Sequence, residues 1–317
     1  MTVEADGGTN RSWRHVTAVR ARFEGLHPSI RGLLWAAAAG LLFVLLNAMM
    51  RGLSLALSPY QTQFLRYLFG LVVMLPFILR SGIGAYRPHR IGGQFLRGGV
   101  HTVGLCLWFI AVPHISLADT TALGFTTPIF IMIGAMVVLR ERPRWERWVA
   151  AGIGFAGVLI VVAPKLTGSG GGFLLVMLAS SPMFAASFLL TKTLTKYDKT
   201  EVIVVWQAIT VTLFSLPLGL LHWQAPSLLQ WSSFLLCGML GSAGHYCLTK
   251  SFSVADISAT QSVKFLELVW AAGLGWLAFG DTPSRSTLIG GVVIAGSTLW
   301  IARRESRGPP PSQLPST

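Results

Sequence analysis

The chain has 317 residues, of which 52% are hydrophobic and only 12% are charged. Its mean hydropathy is +0.60. This composition excludes a soluble globular protein. The net charge of +13 would suit a nucleic-acid-binding protein, but the basic residues lie at the ends of apolar segments and form no single patch with interleaved aromatics. We therefore exclude nucleic acid as a partner and expect a polytopic helical protein in a lipid bilayer.

Ten apolar segments follow one another with short connections. Each is close to the ~20 residues that a helix needs to cross the hydrocarbon core of a bilayer. No apolar h-region precedes the first segment, so we expect that segment to stay as an anchor and not to be cleaved as a signal peptide. The predicted spans are 31–50, 60–79, 94–113, 117–139, 146–164, 171–191, 201–221, 230–250, 256–280 and 284–302.

The basic residues at the span ends predict the orientation. Most of the 25 Lys and Arg lie on the side of the two termini, Arg97 and Arg147 among them. Only Arg51, Lys165 and Arg285 are assigned to the opposite side. Because positively charged loops stay in the cytoplasm, we predict that both termini are cytoplasmic.

The sequence also contains an internal repeat. The segment SLADTTALGFTTPIFIMIGAMVVLRERPRW, from Ser116, aligns with ADISATQSVKFLELVWAAGLGWLAFGDTPSR, from Ala255. Five spans in each half is an odd number, so the two halves insert in opposite orientations, as in many secondary transporters. The predicted fold is an all-α polytopic membrane protein whose ten transmembrane helices form two inverted five-helix repeats. The predicted boundaries are a tail at 1–30, repeats at 31–164 and 171–302, and a disordered tail at 303–317.

Two charged residues lie deep within the ninth span. Lys264 and Glu267 each cost about 3 kcal/mol at that depth on insertion scales. Thr260 shares their helix face at spacings of four and seven residues. The matching stripe of the first half is uncharged and consists of Thr120, Gly124 and Thr127. This asymmetry favours a binding cavity, in which Lys264 takes an anionic group and Glu267 a cation or proton. The alternative is a structural pair that neutralises itself.

Other polar and aromatic side chains within the spans are further candidates. His101 and His245 lie at nearly the same place in the two halves and would titrate near neutral pH if unperturbed, although hydrogen bonding by neutral imidazole is the alternative. Neutral hydrogen bonds to a ligand or between helices are expected from Asn47, Thr127 and Ser187. Trp108, Trp206 and Trp270 could wall a cavity. The predicted ligand-binding residues are Lys264, Glu267, Thr260, Thr127, Asn47, His101, His245 and Trp108.

Arg66 and the cysteines have plainer interpretations. Arg66 lies about 9 Å inside the second span, from which its side chain can reach the outer interface, so anchoring is favoured. Cys106, Cys237 and Cys247 all fall in apolar segments and indicate packing, not a disulfide framework. The histidines are too few for a metal site, and the chain carries no HExxH, GxSxG or GxxxxGK[ST] motif. We expect no metal, cofactor, catalytic residue or ATPase.

These features resemble the EamA-type family of the drug/metabolite transporter superfamily. Each half has an Ala/Asp/Thr-rich helix start, a mid-helix Pro or Glu-apolar step and a closing acidic residue. The residues are Ala118, Asp119, Thr120, Pro128 and Glu141 in the first half, and Ser258, Ala259, Thr260, Glu267, Leu268 and Asp281 in the second. Arg66 also looks like that family's second-helix arginine. The second half departs from the family pattern at Leu268, where proline is common.

The resemblance implies an inner-membrane secondary carrier that moves small metabolites, in either direction, through a central cavity between the halves. An acid and a base in that cavity favour zwitterionic or amphoteric metabolites such as amino acids. The glycine-rich stretches 152–157 and 290–296 allow close helix packing, within the protomer or in a homodimer. The alternative functions are a non-transporting receptor and an intramembrane enzyme.

Overall fold

The computed structural model describes residues 23–115, 120, 123–142, 144–166, 171–221, 223–279 and 283–307, and these form helices and turns without a β-strand. Short 3₁₀ turns follow three of the helices, at Ile83–Tyr86, Val112–His114 and Ala163–Lys165. The α-helices are α1 (Pro28–Ala56), α2 (Pro59–Ser81), α3 (Ile91–Ala111), α4 (Thr127–Val137), α5 (Trp145–Val162), α6 (Gly172–Leu194), α7 (Thr200–Leu221), α8 (Leu228–Val254), α9 (Ile257–Lys264), α10 (Leu266–Phe279) and α11 (Arg285–Ser306).

The predicted all-helical fold is confirmed, and the described helices account for ten spans, with α9 and α10 together occupying the ninth. Residues 117–119, 121 and 122 of the predicted fourth span lie outside the described residues. Six described helices are long and apolar enough to cross a membrane by length and composition. Helices α3 and α8 are long enough but are absent from those six, since they carry polar side chains along their length. Helix α11 continues to Ser306, beyond the predicted end at 302. Of the predicted tails at 1–30 and 303–317, residues 1–22 and 308–317 lie outside the described residues.

Helix ends follow local sequence signals. Proline occupies the first turn of α1 and α2, where its missing N–H costs no hydrogen bond. Helix α8 begins with a capping box, in which the Ser227 N–H donates to Gln230 Oε1 at 2.7 Å and the Gln230 N–H donates to Ser227 Oγ at 3.3 Å. Ser284 accepts from the Thr287 N–H at the start of α11. These caps fix where the polar loops give way to the spans.

The packing of the helices repeats under the inverted symmetry. Helix α1 packs on α8, and its counterpart in the second half, α6, packs on α3. Helix α2 packs against its own counterpart α7, as does α5 against α11. Helix α4 contacts α6, and correspondingly α9 and α10 contact α1. Every span therefore packs against the opposite half, and the main cavities lie between the halves.

The fourth and ninth spans are both interrupted at equivalent positions. Residues Phe125 and Thr126 form a turn before α4, and Phe265 separates α9 from α10. The predicted span 256–280 is therefore formed by two helices that meet at Phe265. Phe265 is fully buried, its ring lies where a Cβ on Gly154 would be, and its backbone keeps helical angles (φ −64°, ψ −21°), so the interruption is confined to the hydrogen bonds around this one residue. The break places Thr260 and Lys264 on α9 and Glu267 on α10.

Helices α5 and α11 cross at two glycines. A Cβ on Gly290 would lie 2.5 Å from the carbonyl oxygen of Gly157, so this contact is made between backbones. A few residues along the same interface, the Ser297 hydroxyl donates to the carbonyl of Ala150 at 2.7 Å. By contrast, a Cβ on Gly152 or Gly296 would meet no atom of another described helix within 4 Å. Part of the predicted glycine packing is thus used within the protomer.

Candidate functional site

Lys264 and Glu267 line a pocket between the two halves, which we call the Lys–Glu pocket. Its empty volume, open solvent included, is about 400 Å³. Its walls come from α1, α4, α6, α8, α9 and α10, so five spans contribute to it. The lining residues are Ala36, Ala39, Gly40, Phe43, Ile131, Phe188, Leu248, Phe252, Thr260, Gln261, Lys264 and Glu267.

The two charges form an ion pair across the helix break. Lys264 Nζ lies 2.6 Å from Glu267 Oε1, and the two side chains are 29% and 16% exposed. Each charge thus compensates the other while both stay in contact with the pocket. Such a pair can rearrange, because a ligand's own carboxylate and amine could replace one partner each.

The residues around the pair set its access. A Cβ on Gly40 would lie 3.1 Å from Glu267 Cγ, so a small residue on α1 makes room for the carboxylate arm. The Thr260 hydroxyl donates to the carbonyl of Ile257 at 2.7 Å and accepts from the Gln261 amide at 3.1 Å. Thr260 therefore lies in the pocket wall with its hydroxyl already engaged. The indole N–H of Trp270, one turn after Glu267, is buried without a hydrogen-bond partner among the described residues.

The two predicted histidines meet in a second polar cluster, the His–Tyr cluster. The His101 and His245 ring centroids are 5.8 Å apart, and both rings are buried. The Tyr67 hydroxyl lies 2.9 Å from His101 Nε2 and 3.4 Å from His245 Nε2. Ser187 Oγ is 3.2 Å from His101 Nδ1. The chain of groups runs from α6 through α3 and α2 to α8, so polar contacts connect the two halves here.

Arg66 turns into the protein and not toward the outer interface. Its guanidinium lies 4.7 Å from the centroid of the Tyr67 ring and 3.5 Å from His245 Nε2. The anchoring interpretation from the sequence is therefore wrong. Arg66 instead borders a second pocket between α2, α7 and α8, which we call the Arg66 pocket.

Arg97, which the charge pattern places in a loop, lies within α3 and is only 1% exposed. Its guanidinium donates to Thr191 Oγ1 at 2.5 Å, to the carbonyl of Ile203 at 3.0 Å and to Gln207 Oε1. Sequence reasoning does not identify Tyr67 or Gln207 either. Isolated polar residues inside apolar spans are the signal that could have identified all three.

The remaining predicted residues lie apart from both pockets. Thr127 is buried in the first turn of α4. Asn47 is exposed on α1. Trp108 packs against the apolar cluster that contains Phe109. Trp206 donates its indole N–H to the carbonyl of Tyr86, a structural bond at 2.9 Å. Cys106, Cys237 and Cys247 are free thiols.

Charged side chains of both halves also meet where α1 begins and α11 ends, which we call the terminal face. Arg147, 5% exposed, donates to Glu305 at 2.9 Å and to Asp256 at 2.9 Å, and it lies 3.8 Å from Glu141. Glu141 accepts from the Ile257 N–H at the start of α9. The charge pattern places Arg147 at a loop, whereas its side chain joins the two halves. This terminal-face cluster closes the bundle at that end.

The comparisons with known proteins bear on this geometry. The chain matches the EamA-like transporter family twice, over residues 30–163 and 171–303. The chain belongs to the EamA-like transporter family. As an EamA-like transporter it has the two inverted repeats and the cavities between them that a polytopic membrane carrier needs.

Individual relatives of this EamA-like transporter carry different solute names. It is 33% identical over 282 residues to a riboflavin transporter of Rhizobium johnstonii, covering 88% of this chain and 93% of the relative. It is 27% identical to an S-adenosylmethionine uptake transporter of Rickettsia prowazekii, with coverage of 90% and 96%. It is also 27% identical to a pseudopaline exporter of Pseudomonas aeruginosa, with coverage of 86% and 96%.

A solved crystal structure has the same fold. It superposes with a TM-score of 0.73 at 18% sequence identity and covers 86% of this chain and 98% of its own. At that identity the likeness shows the arrangement of helices and nothing about the solute.

Proposed function

We propose that the protein is a secondary active transporter of small zwitterionic or amphoteric metabolites, such as amino acids or their derivatives. The observation that carries this proposal is the Lys264–Glu267 ion pair in the wall of a pocket between the two repeats. A solute with a carboxylate and an amine offers each member of the pair a new partner. Such a solute binds most tightly to a conformation in which Lys264 and Glu267 can separate. Conformations that keep the pair closed therefore have a lower affinity for the solute.

The names of the relatives do not decide the solute. Riboflavin, S-adenosylmethionine and pseudopaline appear among them, and both an uptake transporter and an exporter are included. The substrate class therefore rests on the residues of the Lys–Glu pocket. Uptake and export both occur among these relatives, so the proposal covers either direction of transport.

The transport cycle that fits this architecture is alternating access. The two inverted repeats rock about the pocket between them, and a gradient of an ion or a second solute supplies the energy. Opening of the terminal face requires separation of Arg147 from Asp256 and Glu305, because these residues come from opposite halves. The protein needs no catalytic residue and no cofactor for this cycle.

We place the protein in the inner membrane with both termini in the cytoplasm. The excess of Lys and Arg on the side of the termini supports this orientation. A reporter that is active only in the cytoplasm, fused after Thr317, would give signal. Signal only from a reporter that needs export would reverse the orientation.

A homodimer through α5 and α11 is a further proposal. Gly152 and Gly296 lie on these helices, and a Cβ at either position would meet no atom of another described helix within 4 Å, which leaves room for close helix contact. Crosslinking of Gly296→Cys in membranes would yield a disulfide dimer, whereas absence of dimer at both Gly296→Cys and Gly152→Cys would contradict this arrangement.

The experiment that tests the proposed function is flux into proteoliposomes, with and without a proton gradient. The solutes are riboflavin, S-adenosylmethionine and the proteinogenic amino acids. Accumulation without chemical change of at least one amphoteric solute is expected. Absence of flux for every amphoteric solute, with flux of riboflavin, would contradict the substrate class.

A charge swap separates a ligand-binding pair from a structural one. Lys264→Glu combined with Glu267→Lys keeps a neutral pair at the same spacing, so folding is preserved. Transport by the swapped protein is expected to fall at least about tenfold, because both charges now face the solute in the wrong order. Transport at the wild-type rate would show that the pair is structural.

A further inference from the structure

The Arg66 pocket lies apart from the Lys–Glu pocket and shares no lining residue with it among those that the structure describes. It is formed by α2, α7 and α8 and has an empty volume, open space included, of about 260 Å³. Arg66, Tyr67, Gln207 and His245 supply its polar groups, together with Ser242. None of its described lining residues is a carboxylate. The pocket is thus rich in hydrogen-bond donors and carries positive charge.

Two donors in this pocket are buried without a partner among the described residues. One is Arg66 Nε and the other is Gln207 Nε2. Gln207 is only 2% exposed, and its amide oxygen accepts from Arg97, which orients the amide nitrogen as the free group. A buried donor that stays unpaired costs free energy, so each of these groups favours an acceptor in the pocket.

The charge around these donors has the same sign. Neither Arg66 nor Arg97 takes part in an ion pair within the described part of the chain, although both lie inside membrane-spanning helices. Arg97 has neutral partners only among its hydrogen bonds, with Thr191, Ile203 and Gln207. Uncompensated positive charge at such depth is costly and favours a bound anion.

We propose that the Arg66 pocket binds a small oxyanion, the carboxylate or phosphate group of a water-soluble solute. An oxyanion would accept from Arg66 Nε and from Gln207 Nε2, and a guanidinium is well suited to hold it. This site is independent of the Lys–Glu pocket.

A solute is favoured over a lipid by depth. Arg66 is seven residues inside α2 from Pro59, which is about 10 Å along the helix axis at 1.5 Å per residue. A phospholipid headgroup would have to leave the membrane interface to reach it. The expected ligand is therefore a soluble anion, and a lipid headgroup is an outcome of the test.

The test is a thermal-unfolding titration of the purified full-length protein in detergent. Sodium phosphate and sodium acetate replace sodium chloride at constant ionic strength. A ligand that binds only the folded protein raises its melting temperature in a saturable way. Arg66→Gln should weaken the apparent affinity for the anion by about tenfold or more. Arg80→Gln removes the same charge from the exposed end of α2 and should leave the affinity unchanged.

Gln207→Glu provides a second variant for the case that Arg66→Gln does not fold. It keeps an oxygen acceptor for Arg97 but replaces the free amide donor by a carboxylate, which repels the anion and neutralises nearby charge. This variant is expected to fold at least as stably as wild type and to lose the anion response. The charge-swapped Lys264→Glu/Glu267→Lys protein should retain the response, so failure of one proposal is distinguishable from failure of the other.

Three results would overturn the proposal. If phosphate and acetate raised the melting temperature of Gln207→Glu as much as that of wild type, the response would be a general salt effect. No response in wild type would show that neither oxyanion binds. The pocket would be assigned to a lipid if phosphatidylglycerol, added to the detergent micelles, stabilised wild type more than Arg66→Gln while phosphate and acetate had no effect.

Discussion

Phe125 and Phe265 are equivalent residues of the two repeats, and their ring centroids lie 5.6 Å apart. Two symmetry-related residues can touch only beside the axis that relates them. The pseudo-twofold axis of the transporter therefore passes between these rings. Both helix breaks lie at that axis, next to the Lys–Glu pocket, which is where rocking of the halves changes the geometry least.

Removal of the Phe265 ring should destabilise the protein strongly. Phe265→Ala leaves a cavity against Phe125 and Gly154 and is expected to lower the free energy of unfolding by about 3 kcal/mol. Phe77→Ala, on an exposed side chain of α2, is the control and should change little. Unfolding in mixed detergent and SDS micelles measures both. Equal losses of stability in Phe265→Ala and Phe77→Ala would contradict the packing role of the Phe265 ring.

Replacement of Arg147 should lower the stability of the protein far more than replacement of the nearby Arg144. Arg147→Met removes the buried guanidinium that Asp256 and Glu305 share and should cost about 3–5 kcal/mol of stability. Arg144 is 23% exposed and contacts Glu305 alone, so Arg144→Met should cost at most about 1 kcal/mol. Thermal unfolding of both variants gives the order, and the reverse order would contradict the terminal-face cluster as the connection between the halves.

The glycines of α11 should respond in opposite ways to added methyl groups. Gly290→Ala forces a Cβ against the Gly157 carbonyl and is expected to destabilise by about 1–3 kcal/mol. In the detergent-solubilised monomer, Gly296→Ala meets open space and should stabilise the helix by up to about 1 kcal/mol. Melting temperatures of the two single variants decide this. A larger loss at Gly296 would instead indicate that this face is covered in the membrane.

The Tyr67 hydroxyl should be worth more than one ordinary hydrogen bond. Tyr67→Phe removes the hydroxyl that the Nε2 atoms of His101 and His245 share and is expected to lower stability by about 1–3 kcal/mol. Tyr197→Phe is the control, since the ring under Arg90 is kept and the residue is 39% exposed. If both variants have the same melting temperature as wild type, the Tyr67 hydroxyl does not stabilise the two histidines.

The fold could be predicted from the sequence because apolar length and basic loops are local signals. Ten spans and the two inverted halves follow from counting segments and from the repeat alone. The break at Phe265 could not be predicted in this way. Pro128 signals a helix start in the first half, but Leu268 stands in its place in the second, so the second break has no proline to signal it.

The sequence predicts the charged residues of the candidate site better than it predicts which residues they contact. Lys264 and Glu267 stand out because charge in an apolar span is rare, and the structure places them in one pocket. Arg97 escapes prediction because it lies near a span end, where sequence cannot distinguish a loop arginine from one that turns inward. Asn47 is a candidate because it is polar, yet its helix rotation leaves it exposed, and rotation depends on neighbours that are distant in the chain.

The burial of Arg97 has a consequence for biosynthesis. All three of its hydrogen-bond acceptors, on Thr191, Ile203 and Gln207, belong to the second repeat. When α3 leaves the ribosome, none of them has been made. The guanidinium must therefore stay hydrated or near the membrane surface until α6 and α7 are inserted. The first repeat is therefore an incomplete folding unit, and the two halves become stable together.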